Sequence, residues 1–186
     1  NHGWGTNAFT DNVQVTSDSV NGTKNWTVTE TSAGVYTIAI ARTDYTFYMT
    51  SEDKKFPMLC QMLQEMNPYL AVVFCNTKER TAQLAGQLIA AGFNIGELHG
   101  DMSQGRRTQV LRDFARAKTQ ILVATDIAAR GIDINDLPLV INFDLPNIPE
   151  TYVHRIGRTG RAGQEGTAIS FCDRSERPYL KDIEKL

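Results

Sequence analysis

At 186 residues the chain is long enough for one well-buried domain with some length to spare. Apolar content of 41% and charged content of 22% fit an ordinary soluble protein, and no run approaches the ~18 apolar residues that a bilayer span needs. A formal net charge of −2 excludes a generally basic, nucleic-acid-coating protein, so any phosphate-contacting surface must be local.

No signal-peptide pattern opens the sequence. Cys60, Cys75 and Cys172 are odd in number, widely spaced and mostly set in apolar runs. They read as reduced core thiols of a cytoplasmic protein, not as a disulfide framework or a zinc site. Composition changes near residue 45. Residues 1–46 hold ten threonines, five asparagines and only six charged residues, and they alternate at 26–29 and 35–40 around Ser32, Ala33 and Gly34. That pattern predicts a hairpin-like, β-rich segment of unknown origin, which must pack on something because a lone hairpin is marginal in water. No chemistry is legible in it.

From residue 47 onward, short apolar runs alternate with helical periods. Runs at 71–75, 120–124 and 139–143 read as strands buried on both faces, with shorter strands at 94–98 and 167–171. Between them, Leu84, Leu88 and Ile89 mark a helix over 79–91 that Gly92 stops, and Val110, Leu111 and Phe114 mark another over 103–117. Such alternation predicts an α/β fold, a parallel sheet with helices on both faces, preceded by the short β-rich segment. Ligands of such sheets lie beyond the carboxyl ends of the strands. Each strand here ends in polar residues. Asn76, Thr77 and Lys78 follow the first run. Then come His99, Gly100, Asp101, Ser103 and Gln104 with Arg106 and Arg107, then Thr125, Asp126, Arg130, Gly131 and Asp133, and finally Asp144. Singly, these are ordinary caps and turn residues, with Thr125 and Ser103 as N-caps and Asp101 in an Asx-turn. Together they mark one ligand-facing edge.

Residues 154–161 carry the most pointed pattern. His154, Arg158 and Arg161 stand at i, i+4 and i+7, one stripe if the segment is helical. Gly157 and Gly160 interrupt it, each costing about 1 kcal/mol of helix propensity. A merely structural basic helix has no use for that cost. A polyphosphate approaching the backbone between guanidinium forks does.

The ordered motifs at 71–78, 99–107, 125–133 and 154–161 resemble those of the second RecA-like domain of DEAD-box RNA helicases, over roughly residues 45–186. The resemblance divides the chain into 1–46 and a helicase C-terminal RecA-like domain at 47–186, and implies roles by position. Arg158 and Arg161 match arginine fingers that reach the γ-phosphate of ATP held on a first domain. Asp133, beside Gly131, matches the residue that meets the ribose, and His154 the one that couples the two domains. Thr77, Gly100, Asp101, Gln104, Arg107, Thr125 and Arg130 fall in motifs that grip the RNA sugar–phosphate backbone or support that surface, which implies largely sequence-independent binding. The phosphate loop and acidic metal site of the first domain are absent from the sequence, so ATP and Mg2+ are expected to be held mainly by that domain, and the isolated chain is expected to be inactive. No metal site and no membrane association are expected. The rival readings are a non-catalytic RNA- or protein-binding module on the same fold, or an engineered chimera carrying a foreign N-terminal segment.

Overall fold

The computed structural model describes residues 27–30, 35–40, 43–130, 134–159 and 166–186, those up to 44 through their backbone only. In chain order the elements are β1 (Thr27–Glu30), β2 (Val35–Ile40), β3 (Thr43–Met49), α1 (Glu52–Met66), β4 (Ala71–Cys75), α2 (Lys78–Ala90), β5 (Ile95–Leu98) and α3 (Gln104–Ala115). They continue with β6 (Ile121–Thr125), α4 (Asp126–Ala129), β7 (Leu139–Asn142), α5 (Pro149–Ile156) and β8 (Gly166–Cys172), then a 3-10 turn (Arg174–Glu176) leading into α6 (Arg177–Glu184).

One eight-stranded sheet runs in the order β1-β2-β3-β8-β7-β4-β6-β5. From β3 to β5 every pairing is parallel, which gives six parallel strands, while β1 and β2 extend the edge in antiparallel fashion. The predicted parallel α/β sheet is therefore present, and its central strands β4, β6 and β7 are buried throughout. β3 spans residues 43–49 and so crosses the composition change at 46/47.

Alternation along the strands sorts the core onto two faces. Val73, Val123, Ile141, Ile169 and Tyr48 pack with Met58, Leu59 and Met62 of α1 and Leu84, Ala85 and Leu88 of α2. On the other face, Val72, Phe74, Leu122 and Val140 meet Phe114 of α3 and Ala128 and Ala129 of α4. Phe47, Met49 and Ala168 meet Tyr152 and Ile156 of α5 and Leu180 and Ile183 of α6, with the Phe47 and Tyr152 rings stacked at 5.5 Å. The sequence reading did not anticipate α6, whose short apolar face is visible only once the sheet is there to receive it.

Helix α2 ends as its sequence predicts. Gly92 takes φ +94°, Gly92 N–H donates to the Ile89 carbonyl at 3.0 Å, and Phe93 N–H reaches the Leu88 carbonyl at 3.1 Å. This is a Schellman closure, which requires the left-handed conformation at that position. A Cβ at Gly92 or at Gly86, in the interior of α2, would meet nothing within 4 Å, so backbone conformation alone decides the effect of adding one. Gly92→Ala is expected to destabilise by about 1 kcal/mol and Gly86→Ala to stabilise by about 0.5–1 kcal/mol. Urea denaturation of the two variants tests this, and shifts of the same sign would contradict it.

Candidate functional site

Because β3 to β8 run parallel, their carboxyl ends share one rim. Cys75, closing β4, stands opposite Thr125, closing β6, so Asn76–Thr77 and Asp126 leave the sheet side by side. Three helices begin at this rim, each held by a hydroxyl that accepts from a backbone N–H in the first turn. Thr77 accepts from Arg80 at 3.1 Å, Ser103 from Arg106 at 3.3 Å, and Thr125 from Ala128 at 3.3 Å. All three are N-caps. The predicted RNA-side residues lie around them. Thr77, Gly100, Asp101, Gln104 and Arg130 are exposed, Arg107 is half-buried, and Thr125 is 8% exposed. Lys78 pairs with Asp101 at 2.9 Å, which ties the start of α2 to the loop after β5. Arg107 donates to the Ala128 carbonyl at 3.3 Å, which ties α3 to α4. Gly100 meets no atom where a Cβ would stand, so nothing within the chain demands a glycine there.

Behind the rim lies a residue the sequence reading passed over. Arg155, in the last turn of α5, is 1% exposed and uses all five of its N–H groups. Nε and Nη2 each meet one carboxylate oxygen of Asp126 at 2.6 Å. Nη2 also donates to Asn76 Oδ1 at 2.7 Å, and Nη1 donates to Asn142 Oδ1 at 3.1 Å and to the Asp144 carbonyl at 2.7 Å. The guanidinium lies 5.3 Å from the centre of the Phe74 ring. Burial of this arginine is legible afterwards in helical spacing, since Tyr152, Arg155 and Ile156 are the buried residues of α5.

A second polar cluster adjoins the first. Lys55 of α1, 1% exposed, donates to Glu176 Oε1 at 2.6 Å and lies within 3.6 Å of Glu52, Asp144 and Asp173. Arg80 bridges Glu52 and Asp144 and sits 4.8 Å over the Phe143 ring. Burial alone would push the Lys55 ammonium down, but Glu176, Asp144 and Glu52 outweigh it and hold its pKa above the usual lysine value. Burial pushes the Glu176 carboxyl up to about 7 against the pull of Lys55. Between these two tendencies, the 2.6 Å contact and the N–H that Leu145 directs at the same carboxylate favour the charged pair. Cys75 and Cys172 are buried free thiols whose pKa values burial raises, and Cys60 is a half-buried free thiol, so all three are unpaired as expected.

The expected helical stripe is corrected by the structure. α5 ends at Ile156, with Gly157 as its C-cap, so His154 is helical and Arg158 lies beyond the helix. The chain is drawn off the helix axis because Leu137 N–H donates to the Arg158 carbonyl and the Thr159 hydroxyl donates to the Leu137 carbonyl, forming a parallel bridge. His154 is exposed. Half-buried Arg158 donates to the Ala129 and Ile134 carbonyls at 3.0 and 3.3 Å, on either side of the 131–133 stretch. Gly131, Asp133 and Arg161 lie outside the described residues. Among the described residues no cluster of three His, Cys, Asp or Glu could hold a metal, and no helix is long and apolar enough to cross a membrane.

The burial contrast between the two cations at the rim yields a prediction. Arg155→Lys keeps the charge but cannot fill five acceptors in a planar fork, so it is expected to cost about 3 kcal/mol or more in urea denaturation. Lys78→Ala, which breaks a pair exposed at 48% and 62%, is expected to leave the midpoint unchanged. Equal effects of the two would contradict the distinction.

Comparison with known proteins agrees with this geometry. Residues 54–163 match the helicase conserved C-terminal domain. The ATP-dependent RNA helicase FAL1 of Kluyveromyces lactis is 44% identical over 133 residues, covering 72% of this chain and 33% of that protein. DbpA of Bacillus subtilis is 48% identical over 134 residues, covering 72% and 28%. The chain thus spans about a third or less of these curated relatives. Among solved structures, a DEAD box protein from Methanococcus jannaschii superimposes with a TM-score of 0.69 at 48% identity, covering 76% of this chain and 38% of that one. Escherichia coli SrmB bound to RraA gives 0.70 at 39%, covering 75% and 82%. S. cerevisiae Dbp5 bound to RNA and ADP BeF3 gives 0.69 at 37%, covering 75% and 38%. With more than half its length matched and its parallel sheet shared with solved relatives, the chain belongs to the helicase conserved C-terminal domain family, as the second RecA-like domain of a DEAD-box helicase.

Proposed function

We propose that this domain is the catalytic and RNA-gripping half of an ATP-dependent RNA helicase, working against a first RecA-like domain that holds ATP and Mg2+. The observation that carries the reading is the shared rim, where Thr77, Gly100, Asp101, Gln104, Arg107, Thr125 and Arg130 surround the starts of α2, α3 and α4. Aligned peptide dipoles and unpaired N–H groups at the starts of α2 and α3 favour phosphate, and Arg107 and Arg130 add charge without reading bases. RNA gripped this way is recognised by its backbone, independently of sequence.

The ATP-facing roles fall to His154 and Arg158 with Arg161, Gly131 and Asp133. Arg158 and Arg161 act as arginine fingers on the charge that develops at the transferred phosphoryl group, and Gly131 and Asp133 serve the ribose. His154, exposed at the end of α5, meets the first domain. Arg158 must exchange its bonds to the Ala129 and Ile134 carbonyls for phosphate oxygens, which links nucleotide engagement to the 131–133 stretch between those carbonyls. Reduced thiols and ATP-driven chemistry accord with a cytoplasmic setting.

The test supplies a first RecA-like domain from a relative, fused or in trans. RNA-stimulated ATP hydrolysis is expected, with none from this chain alone. Arg158→Ala is expected to lower kcat by about 10³-fold or more with nucleotide affinity nearly unchanged. Arg107→Ala is expected to weaken RNA binding for all sequences alike and to reduce the log–log salt slope by about 0.7. A near-normal kcat in Arg158→Ala would remove the finger assignment. RNA binding without turnover in any combination would favour a non-catalytic binding module instead.

A further inference from the structure

One peptide group is held from both ends by buried charged side chains. The carbonyl of Asp144 accepts from Arg155 Nη1 at 2.7 Å, and the N–H of the same peptide, on Leu145, donates to Glu176 Oε2 at 2.6 Å. Glu176 lies in the 3-10 turn that leads into α6, and Arg155 lies in α5. The Asp144–Leu145 peptide plane thus joins the two side chains through one hydrogen bond on each side. Hydrogen bonds in series polarise one another, so a carboxylate on the N–H strengthens the carbonyl as an acceptor and fixes the rotation of the plane. Flanking bonds pin the same segment. Asn76 Nδ2 donates to the Leu145 carbonyl at 2.9 Å, and Asp144 Oδ2 accepts from Asn76 N–H at 3.2 Å.

The carboxylate of Glu176 is itself placed by two further donors, Lys55 Nζ at 2.6 Å and Asp173 N–H at 3.2 Å, and it is 6% exposed. A buried ion pair of this kind contributes little net stability once desolvation is counted, which leaves its geometric effect as the physical consequence to follow. That effect passes along a continuous series of hydrogen bonds that joins Glu176 to the 144–145 peptide, the peptide to Arg155, and Arg155 to Asp126 at the head of α4.

We propose that Glu176 is a positioning residue for Arg155, acting through the Asp144–Leu145 peptide, so that the seating of the C-terminal turn and helix sets the geometry of the strand-end rim. The consequence for RNA and ATP rests on the functional reading above. The positioning itself does not, and its test needs only this chain.

The test is hydrogen exchange by NMR in the 186-residue chain, comparing Arg155 Nε–H with the Val73 amide in the core of β4. Taking the ratio of the two rates separates local loosening from a general loss of stability. In Glu176→Ala, the Arg155 rate relative to Val73 is expected to rise about tenfold or more. In Glu176→Gln, which keeps an acceptor for Leu145 N–H, a smaller rise is expected. Lys55→Met removes one of the donors that place the Glu176 carboxylate but keeps both partners of the Leu145 bond, so a rise in the ratio well below that of Glu176→Ala is expected. An unchanged ratio in Glu176→Ala, or an equal change in Lys55→Met, would overturn the proposal. If Glu176→Ala does not fold, Glu176→Gln decides, and an unchanged ratio there overturns it as well.

Discussion

The guanidinium of Arg155 faces Asp126 along one edge and receives a carboxylate oxygen at each of two nitrogens, both at 2.6 Å. The starts of α2 and α4 and the end of β7 are arranged around this pair. Asp126 heads α4 directly after Thr125, and Asn76, held by the same guanidinium, directly precedes Thr77. Asn142 and the Asp144 carbonyl bring in the end of β7. Three neighbouring strands thus present residues at or just beyond their carboxyl ends to one side chain, which itself sits one residue after His154 and three before Arg158. A planar fork with five donors can serve that many acceptors at fixed angles, and a lysine cannot.

Burying that charge carries a desolvation cost of several kcal/mol, and the surroundings meet it in full. Each donor has a partner, the Asp126 carboxylate supplies the countercharge, and the face of Phe74 lies beneath. Lys55 and its carboxylates repeat the arrangement one layer away, between α1, the β7 end and the turn before α6. The interiors of β4 and β6 are apolar, so these central strands need none of these charges. Their place at the carboxyl ends accords with what they do there, which is to hold polar loops in fixed positions.

Much of this was legible in the sequence, because local signals and long-range packing agree in most of the chain. The apolar runs at 71–75, 120–124 and 139–143 coincide with strands to within a residue at either end, since only sheet interiors call for such runs between helical periods. Thr125 and Ser103 cap helices as their type and place predict, and Gly92 takes the left-handed conformation that its position requires. His154 and Arg158 do not share a helical stripe because the pull that ends α5 comes from Leu137, 22 residues away from Thr159, where no local pattern shows it. Arg155 was hidden by the same motif. Its spacing from Tyr152 and Ile156 puts it on the buried face of α5. The local signal at Glu176 is its capping-box spacing from Asp173, which marks a helix start and says nothing of Lys55 and Leu145, 121 and 31 residues distant.

The dependence of the rim on the Arg155–Asp126 pair is tested most directly by a double-mutant cycle in the 186-residue chain. Unfolding free energies would be measured for the wild type, Arg155→Met, Asp126→Ala and the double variant. A coupling energy of about 2 kcal/mol or more is expected, because removing Asp126 leaves the buried guanidinium without its countercharge. A coupling below about 0.5 kcal/mol, with the two single effects simply adding, would mean that the pair does not organise the site.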